Sequence, residues 1–181
     1  DLAYTNPPSR ASLLYSFEVP VTDDGNVLGD TLFSNTAAAY EALPDDIKEQ
    51  IEGKSIINRH AYAYFKSGQG EQFKKSADAL DDVEHPLVIK HPFTGRKILF
   101  CNEAMTVCIN DMAENESNQL LGFLVEWVKK ADFVYRHKWQ AGDLLMWDNF
   151  PTQHFVEHNF KLPLRRRMQR ITVRGTVPEA A

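Results

Sequence analysis

Apolar residues in this chain come in short runs, broken repeatedly by Gly, Pro, Asn and Asp, and that pattern limits what it can fold into. Runs of this kind suit strands, because an isolated helix needs more than about 12 residues to hold together. Leu13–Val19 reads as a strand and Thr22–Asn26 as a turn, after which Gly29–Phe33 re-enters a strand. Pro86–Lys90 and Lys97–Cys101 read as a hairpin around Pro92-Phe93-Thr94-Gly95. Phe133–Trp139, a turn at Gln140–Asp143, Leu144–Trp147 and Met168–Gly175 continue the pattern after a helix.

Helical signals are fewer. Ser117–Lys130 carries apolar residues at 120, 121, 124, 125, 127 and 128, which is helical spacing. Asn35-Thr36 can cap a helix over the Ala37–Tyr40 run, and a second short helix is predicted from Asp45 to Ile51, with Gly53 as its stop. Residues 66–83 are polar and read as a mobile excursion or lid. There is no internal repeat and no domain boundary. The expectation is one domain over 1–181, mainly β with helical insertions: a β-sandwich or jelly roll, not a βαβ array.

With 181 residues, 43% of them hydrophobic, the chain can bury a real core. A net charge of −5, with no basic stripe interleaved with aromatics, argues against nucleic acid as a partner. No apolar run approaches the ~20 residues that span a bilayer, so no membrane partner is expected. Cys101 and Cys108 lack CxxC spacing and read as free thiols, which places the chain in the cytoplasm. Oligomeric state is open, a homo-oligomer included. The chain opens on Asp1-Leu2-Ala3-Tyr4 without a Met, which suggests processing or lost upstream sequence.

Chemistry concentrates near the C-terminus. In Trp147-Asp148-Asn149-Phe150-Pro151-Thr152-Gln153-His154 a strand ends, the chain turns and a His follows. A neutral imidazole there could bind a metal or simply make structural hydrogen bonds. Arg166, Arg170 and Arg174 have strand spacing and can share one face. Turned inward they would need anions, and a guanidinium fork fits a carboxylate. Turned outward they would be the solvated basic edge of a sheet. Composition leaves both readings open.

Four blocks then add up. His91-Pro92 with Thr94-Gly95-Arg96-Lys97 and Phe100-Cys101-Asn102-Glu103 resembles the central signature of the taurine dioxygenase and 2,4-dichlorophenoxyacetate dioxygenase family. Trp139-Gln140-Ala141-Gly142-Asp143, Trp147-Asp148-Asn149 and Thr152-Gln153-His154 resemble its distal-histidine block. Arg165-Arg166-Arg167-Met168-Gln169-Arg170 is similar to its arginine block, and Gly29-Asp30-Thr31 with Asn35-Thr36 to its Gly-Asp-Thr block. The likeness runs from Asp1 to about Pro178.

That resemblance implies a double-stranded β-helix (jelly roll) and an Fe(II)- and 2-oxoglutarate-dependent oxygenase. It would hydroxylate a C–H bond of a small, anionic organic substrate with O2, yielding succinate and CO2. The family binds iron through a His-x-Asp pair and a distant His. Asp1 matches the carboxylate and His154 the distal ligand; the matching first His would stand two positions before Asp1, upstream of this sequence. Arg166 and Thr31 match the residues on the remote carboxylate of 2-oxoglutarate. Leu2 (through its backbone), Tyr4, Trp139 and Arg170 would face the substrate, although Trp139 also reads as ordinary core and Tyr4 as a surface aromatic. Three positions depart from the pattern. Leu28 stands where a Gly is frequent, Phe150 where an Arg is common, and the interval from His154 to the arginine block is longer, making Arg165 a substitute for Arg166. The alternative from another class is a jelly-roll protein that binds a dicarboxylate or metal without turnover.

Overall fold

The structure, a computed structural model, describes residues 2–181. The first strand, β1 (Ser9–Glu18), is followed by β2 (Thr31–Asn35), which runs directly into α1 (Thr36–Glu41). Asn35 makes that switch, its side chain accepting a 3.0 Å hydrogen bond from the Ala38 N–H as an N-cap. Helix α2 (Asp45–Ile51) precedes Gly53, whose φ of +69° permits the reversal into β3 (Ser55–Asn58).

Two short helices, α3 (Tyr62–Lys66) and α4 (Lys74–Ala77), lead to β4 (Val83–Pro86), and the predicted hairpin is β5 (Val88–Lys90) with β6 (Lys97–Leu99). After β7 (Thr106–Ile109) comes the one long helix, α5 (Glu114–Val128). Strands β8 (Val134–His137), β9 (Leu144–Asp148), β10 (Thr152–Val156), β11 (Arg167–Arg174) and β12 (Glu179–Ala180) complete the chain. Among the described residues no helix is long and apolar enough to cross a membrane.

The strands form four three-stranded antiparallel sheets, ordered β11-β1-β9, β10-β2-β8, β12-β5-β6 and β4-β3-β7. The first two face each other: Phe33 of β2 and His154 of β10 meet Trp147 of β9 at ring distances of 5.2 and 5.1 Å. This is the mainly β, jelly-roll arrangement that the strand pattern predicts. A separate apolar core lies under the helices, where Ile51, Ile56, Leu87, Leu99, Ile109 and Leu124 are buried together. Each such side chain contributes roughly 1.5–3 kcal/mol by leaving water.

Several elements differ from the sequence reading. β3, β4 and β7 are not foreseen, because runs of four residues carry little pattern of their own and exist through pairing with one another. β10 is a strand where a loop is expected; its mixed residues become strand through a full register against β2, with His154 opposite Phe33. Residues 66–83, read as a mobile excursion or lid, contain short helical elements. These are a helical turn (Glu71–Phe73) and α4, packed through Tyr64 and Phe73 at 4.5 Å.

Candidate active site

β2 carries Thr31 and pairs both with β10, which holds His154, and with β8, which leads to Trp139. His154 is held opposite Phe33 on one side, and on the other Thr31 is held opposite His137 of β8. Thr31 is a β-branched residue in a strand, stiff at χ1, and 1% exposed. Its hydroxyl accepts a 2.9 Å bond from the Trp139 indole N–H and a longer one, 3.4 Å, from the Arg166 guanidinium.

Arg166 stands just before β11, between Gly29 and Trp139. Its guanidinium carbon lies 5.6 Å from the centre of the Trp139 ring. A Cβ added at Gly29 would meet the Phe160 ring at 3.0 Å and the Arg166 side chain at 3.2 Å, so glycine makes room for the arginine stem. Burial pulls the guanidinium below its ordinary pKa, and its Nε is buried with no acceptor among the described residues. Arg165, the proposed substitute, is exposed; Arg166 is the residue that reaches Thr31.

His154 packs between Phe33 and Trp147. Its pKa is pushed down to about 4, first by burial and then by nearby cations, Arg170 and Arg166 among them. The imidazole is therefore neutral near pH 7, the form that binds metals.

Arg170 lies across β1 from Leu14, and its guanidinium donates to Ser12 Oγ at 3.2 Å. Ser12 is itself bound by the Asn149 amide at 3.1 Å, and Asn149 also holds Ser9 at 2.8 Å. The neighbouring Asp148 receives Arg10 and His91, each at 2.9 Å. His91 Nδ1 accepts from the Phe93 and Thr94 N–H groups, so the proton sits on Nε2 and points at Asp148. The Trp-Asp-Asn block thus ties the end of β9 to β1 and to the β5–β6 turn. Ser12 is a site residue that the sequence reading misses, since a serine in an apolar strand carries no signal. Among the described residues β11 is an edge strand beside β1, and Arg174 on it is exposed while Arg166, just before it, turns inward to Thr31.

Tyr4 is half-buried and stacks on His60 at 4.5 Å, with Phe73 beyond it at 6.3 Å. This brings the 66–83 region to the side of the site where Tyr4 stands. Leu2 has a left-handed φ of 56°, and its carbonyl accepts from Thr5 N at 3.0 Å and Thr5 Oγ1 at 2.8 Å. Trp139 is expected either as a substrate wall or as ordinary core. It is 1% exposed, and its contacts are Thr31, His137 and the Arg166 guanidinium. Asp1 lies outside the described residues.

These donors suit a carboxylate: a half-buried guanidinium whose Nε has no acceptor among the described residues, beside a hydroxyl whose lone pairs are already taken. For a metal, His154 supplies one neutral nitrogen. Among the described residues there is no group of three His, Cys, Asp or Glu that could hold an ion.

Residues 1–172 match the protein family described as taurine catabolism dioxygenase TauD, TfdA. The chain belongs to the TauD, TfdA family. It is 33% identical over 172 residues to an alpha-ketoglutarate-dependent 2,4-dichlorophenoxyacetate dioxygenase of Cupriavidus pinatubonensis, a match covering 95% of this chain and 58% of the relative. An alkylsulfatase of Acinetobacter baylyi is 30% identical over 188 residues, covering 100% of this chain and 57% of the relative. The crystal structure of AAD-2 in complex with Mn(II) and N-oxalylglycine superposes with a TM-score of 0.88 at 33% identity, covering all of this chain and 63% of that one. The chain therefore spans under two thirds of the length of these TauD, TfdA relatives.

Proposed function

We propose that the protein is an Fe(II)- and 2-oxoglutarate-dependent dioxygenase that hydroxylates a C–H bond of a small anionic organic molecule. The observation that carries this reading is the pairing of Arg166 with Thr31. A guanidinium taken out of water costs free energy unless an anion meets it, and its Nε has no acceptor among the described residues. A dicarboxylate whose remote carboxylate takes both N–H and O–H donors resolves that imbalance.

In this reading His154 and Asp1 hold the iron, together with a histidine two residues upstream of Asp1. Iron with 2-oxoglutarate supplies the oxidising chemistry, giving succinate, CO2 and hydroxylated product. The chain's own part is to bind and orient. Phe33 and Trp147 fix the His154 ring and keep water from it. Arg166 and Thr31 fix the far end of the co-substrate. Arg170, steadied by Ser12, offers a cation to the substrate's anionic group, with Tyr4 and the Leu2 backbone lining the same side. The names of the relatives, an aryloxyacetate dioxygenase and an alkylsulfatase, support a small anion as substrate class.

The test uses oxygen-free full-length protein, titrated with Fe(II) and then 2-oxoglutarate while the visible spectrum is recorded. A weak charge-transfer band is expected, absent in His154→Ala and weakened in Arg166→Ala. Succinate release on screening small anions would then identify the substrate. Binding of 2-oxoglutarate without succinate formation from any candidate would instead favour a non-catalytic dicarboxylate binder, and failure to bind Fe(II) would sink the oxygenase reading.

A further inference from the structure

A threonine hydroxyl has one proton to give and two lone pairs to receive with. At Thr31 both lone pairs are engaged: the Trp139 indole N–H and the Arg166 guanidinium are groups that can only donate. The hydroxyl proton must therefore point elsewhere, and no described residue accepts it. We propose that Trp139 is a positioning residue for the co-substrate, its N–H forcing the Thr31 hydroxyl to donate to the same carboxylate that Arg166 binds. This rests on the reading of Arg166 and Thr31 as the co-substrate site.

The surroundings of Trp139 are built to hold its N–H on that line. The indole is 1% exposed. The His137 ring meets it edge-on at 4.5 Å and 84°, and His137 is in turn hydrogen-bonded to Asp143 at 3.2 Å. Asp143 also accepts from the Gln140 N–H at 2.8 Å, closing the turn after Trp139. That turn is laced to β1, with Gly142 donating to the Ser16 carbonyl at 2.7 Å and Ser16 donating to the Asp143 carbonyl at 2.9 Å. The Gly142 φ of +94° allows the approach. The polarity of one hydroxyl is thus set by a strand, a turn and a buried ring, before any ligand arrives. Preorganised donors of this kind cost nothing to reorient on binding.

The experiment measures the dissociation constants of 2-oxoglutarate and of 2-oxopentanoate, which lacks the remote carboxylate, on oxygen-free Fe(II)-loaded full-length protein by calorimetry. Wild type is expected to prefer 2-oxoglutarate strongly. Trp139→Phe keeps an aromatic ring, smaller than the indole, and removes the N–H, and should weaken 2-oxoglutarate binding about 10-fold, the worth of one charge-assisted hydrogen bond. Its 2-oxopentanoate binding should be unchanged. Thr31→Val should lose a similar factor, and the double variant no more than Thr31→Val alone, because the effect passes through one hydroxyl. An equal loss for both ligands, or additive losses in the double variant, would overturn the proposal and leave Trp139 a packing residue. A wild type that shows no preference would instead overturn the co-substrate site itself. If Trp139→Phe fails to fold, benzothienylalanine at position 139 retains the indole shape without the N–H and gives the same test.

Discussion

The two halves of this molecule are packed on opposite principles. Under the helices, Ile51, Ile56, Leu124 and their neighbours form a dry apolar core with exposures of a few per cent or less. Between the β11-β1-β9 and β10-β2-β8 sheets, Phe33 and Trp147 share the inward face with Ser12, Thr31, Asn149, His154 and the half-buried Arg166. Other apolar side chains of the first sheet turn away: Leu144, Met146 and Ile171, on its outer face, are 65%, 62% and 59% exposed. The first half is arranged to be stable. The second places polar and charged groups in its interior, where they cost stability and supply binding.

If that division is real, substitutions in the two halves should have opposite signatures. Leu124→Ala, at 0% exposure in the helix-backed core, should cost about 2–5 kcal/mol in denaturant unfolding. The fraction that stays folded should bind 2-oxoglutarate with unchanged affinity. Arg166→Ala should do the reverse, weakening 2-oxoglutarate by about 2–5 kcal/mol, the usual cost of removing one member of a desolvated charge pair. Without ligand it should unfold at the same denaturant concentration as wild type or a higher one, because a partly buried cation has been removed. An Arg166→Ala protein that is as unstable as Leu124→Ala would show that the barrel interior is also structural, and the contrast would fail.

The helix-backed half was the harder one to read from sequence in detail, and the barrel half the easier. α5, the Asn35 cap and the β5–β6 hairpin follow from periodicity, capping and turn chemistry, which act locally. β3, β4 and β7 do not, since each exists only because its partners are there. In the barrel, the likeness of the motif blocks singles out His154, Thr31, Arg166 and Arg170, and the structure brings them to one region. The likeness does not show which groups they touch. Trp139 reads either as a wall for substrate or as ordinary core, and the turn at Gln140–Asp143 places its indole behind Thr31. Ser12 and Asn149, which steady Arg170, are ordinary residues whose role arises only when β1, β9 and β11 pair.

The comparison sharpens with pH. In the metal-free protein, His154 in the barrel and His85 beside the helix-backed core both have depressed pKa values, each chiefly through burial. Below about pH 6.5 the unfolded chain takes up protons that the folded one refuses, so stability falls as pH drops toward 4 and is fully present above 6.5. His154, pushed down furthest, should carry the larger share. His154→Gln should therefore flatten the pH dependence of the unfolding midpoint more than His85→Gln. The opposite ranking would move the acid-sensitive centre out of the barrel.

The smallest effect tests the seam. Asn35 ends β2, the strand that carries Thr31 and faces His154, and it begins α1, whose Ala39 is buried in the other half's core. Asn35→Ala removes the cap on the Ala38 N–H and should cost about 1 kcal/mol of stability. The ladder bonds of β2 to β8 and β10 do not depend on that side chain, so the position of Thr31 should not change. Co-substrate affinity measured by calorimetry should then match wild type. A several-fold weakening would mean that fraying of α1 is felt at Thr31 four residues away, and that the stable half also sets the geometry of the binding half.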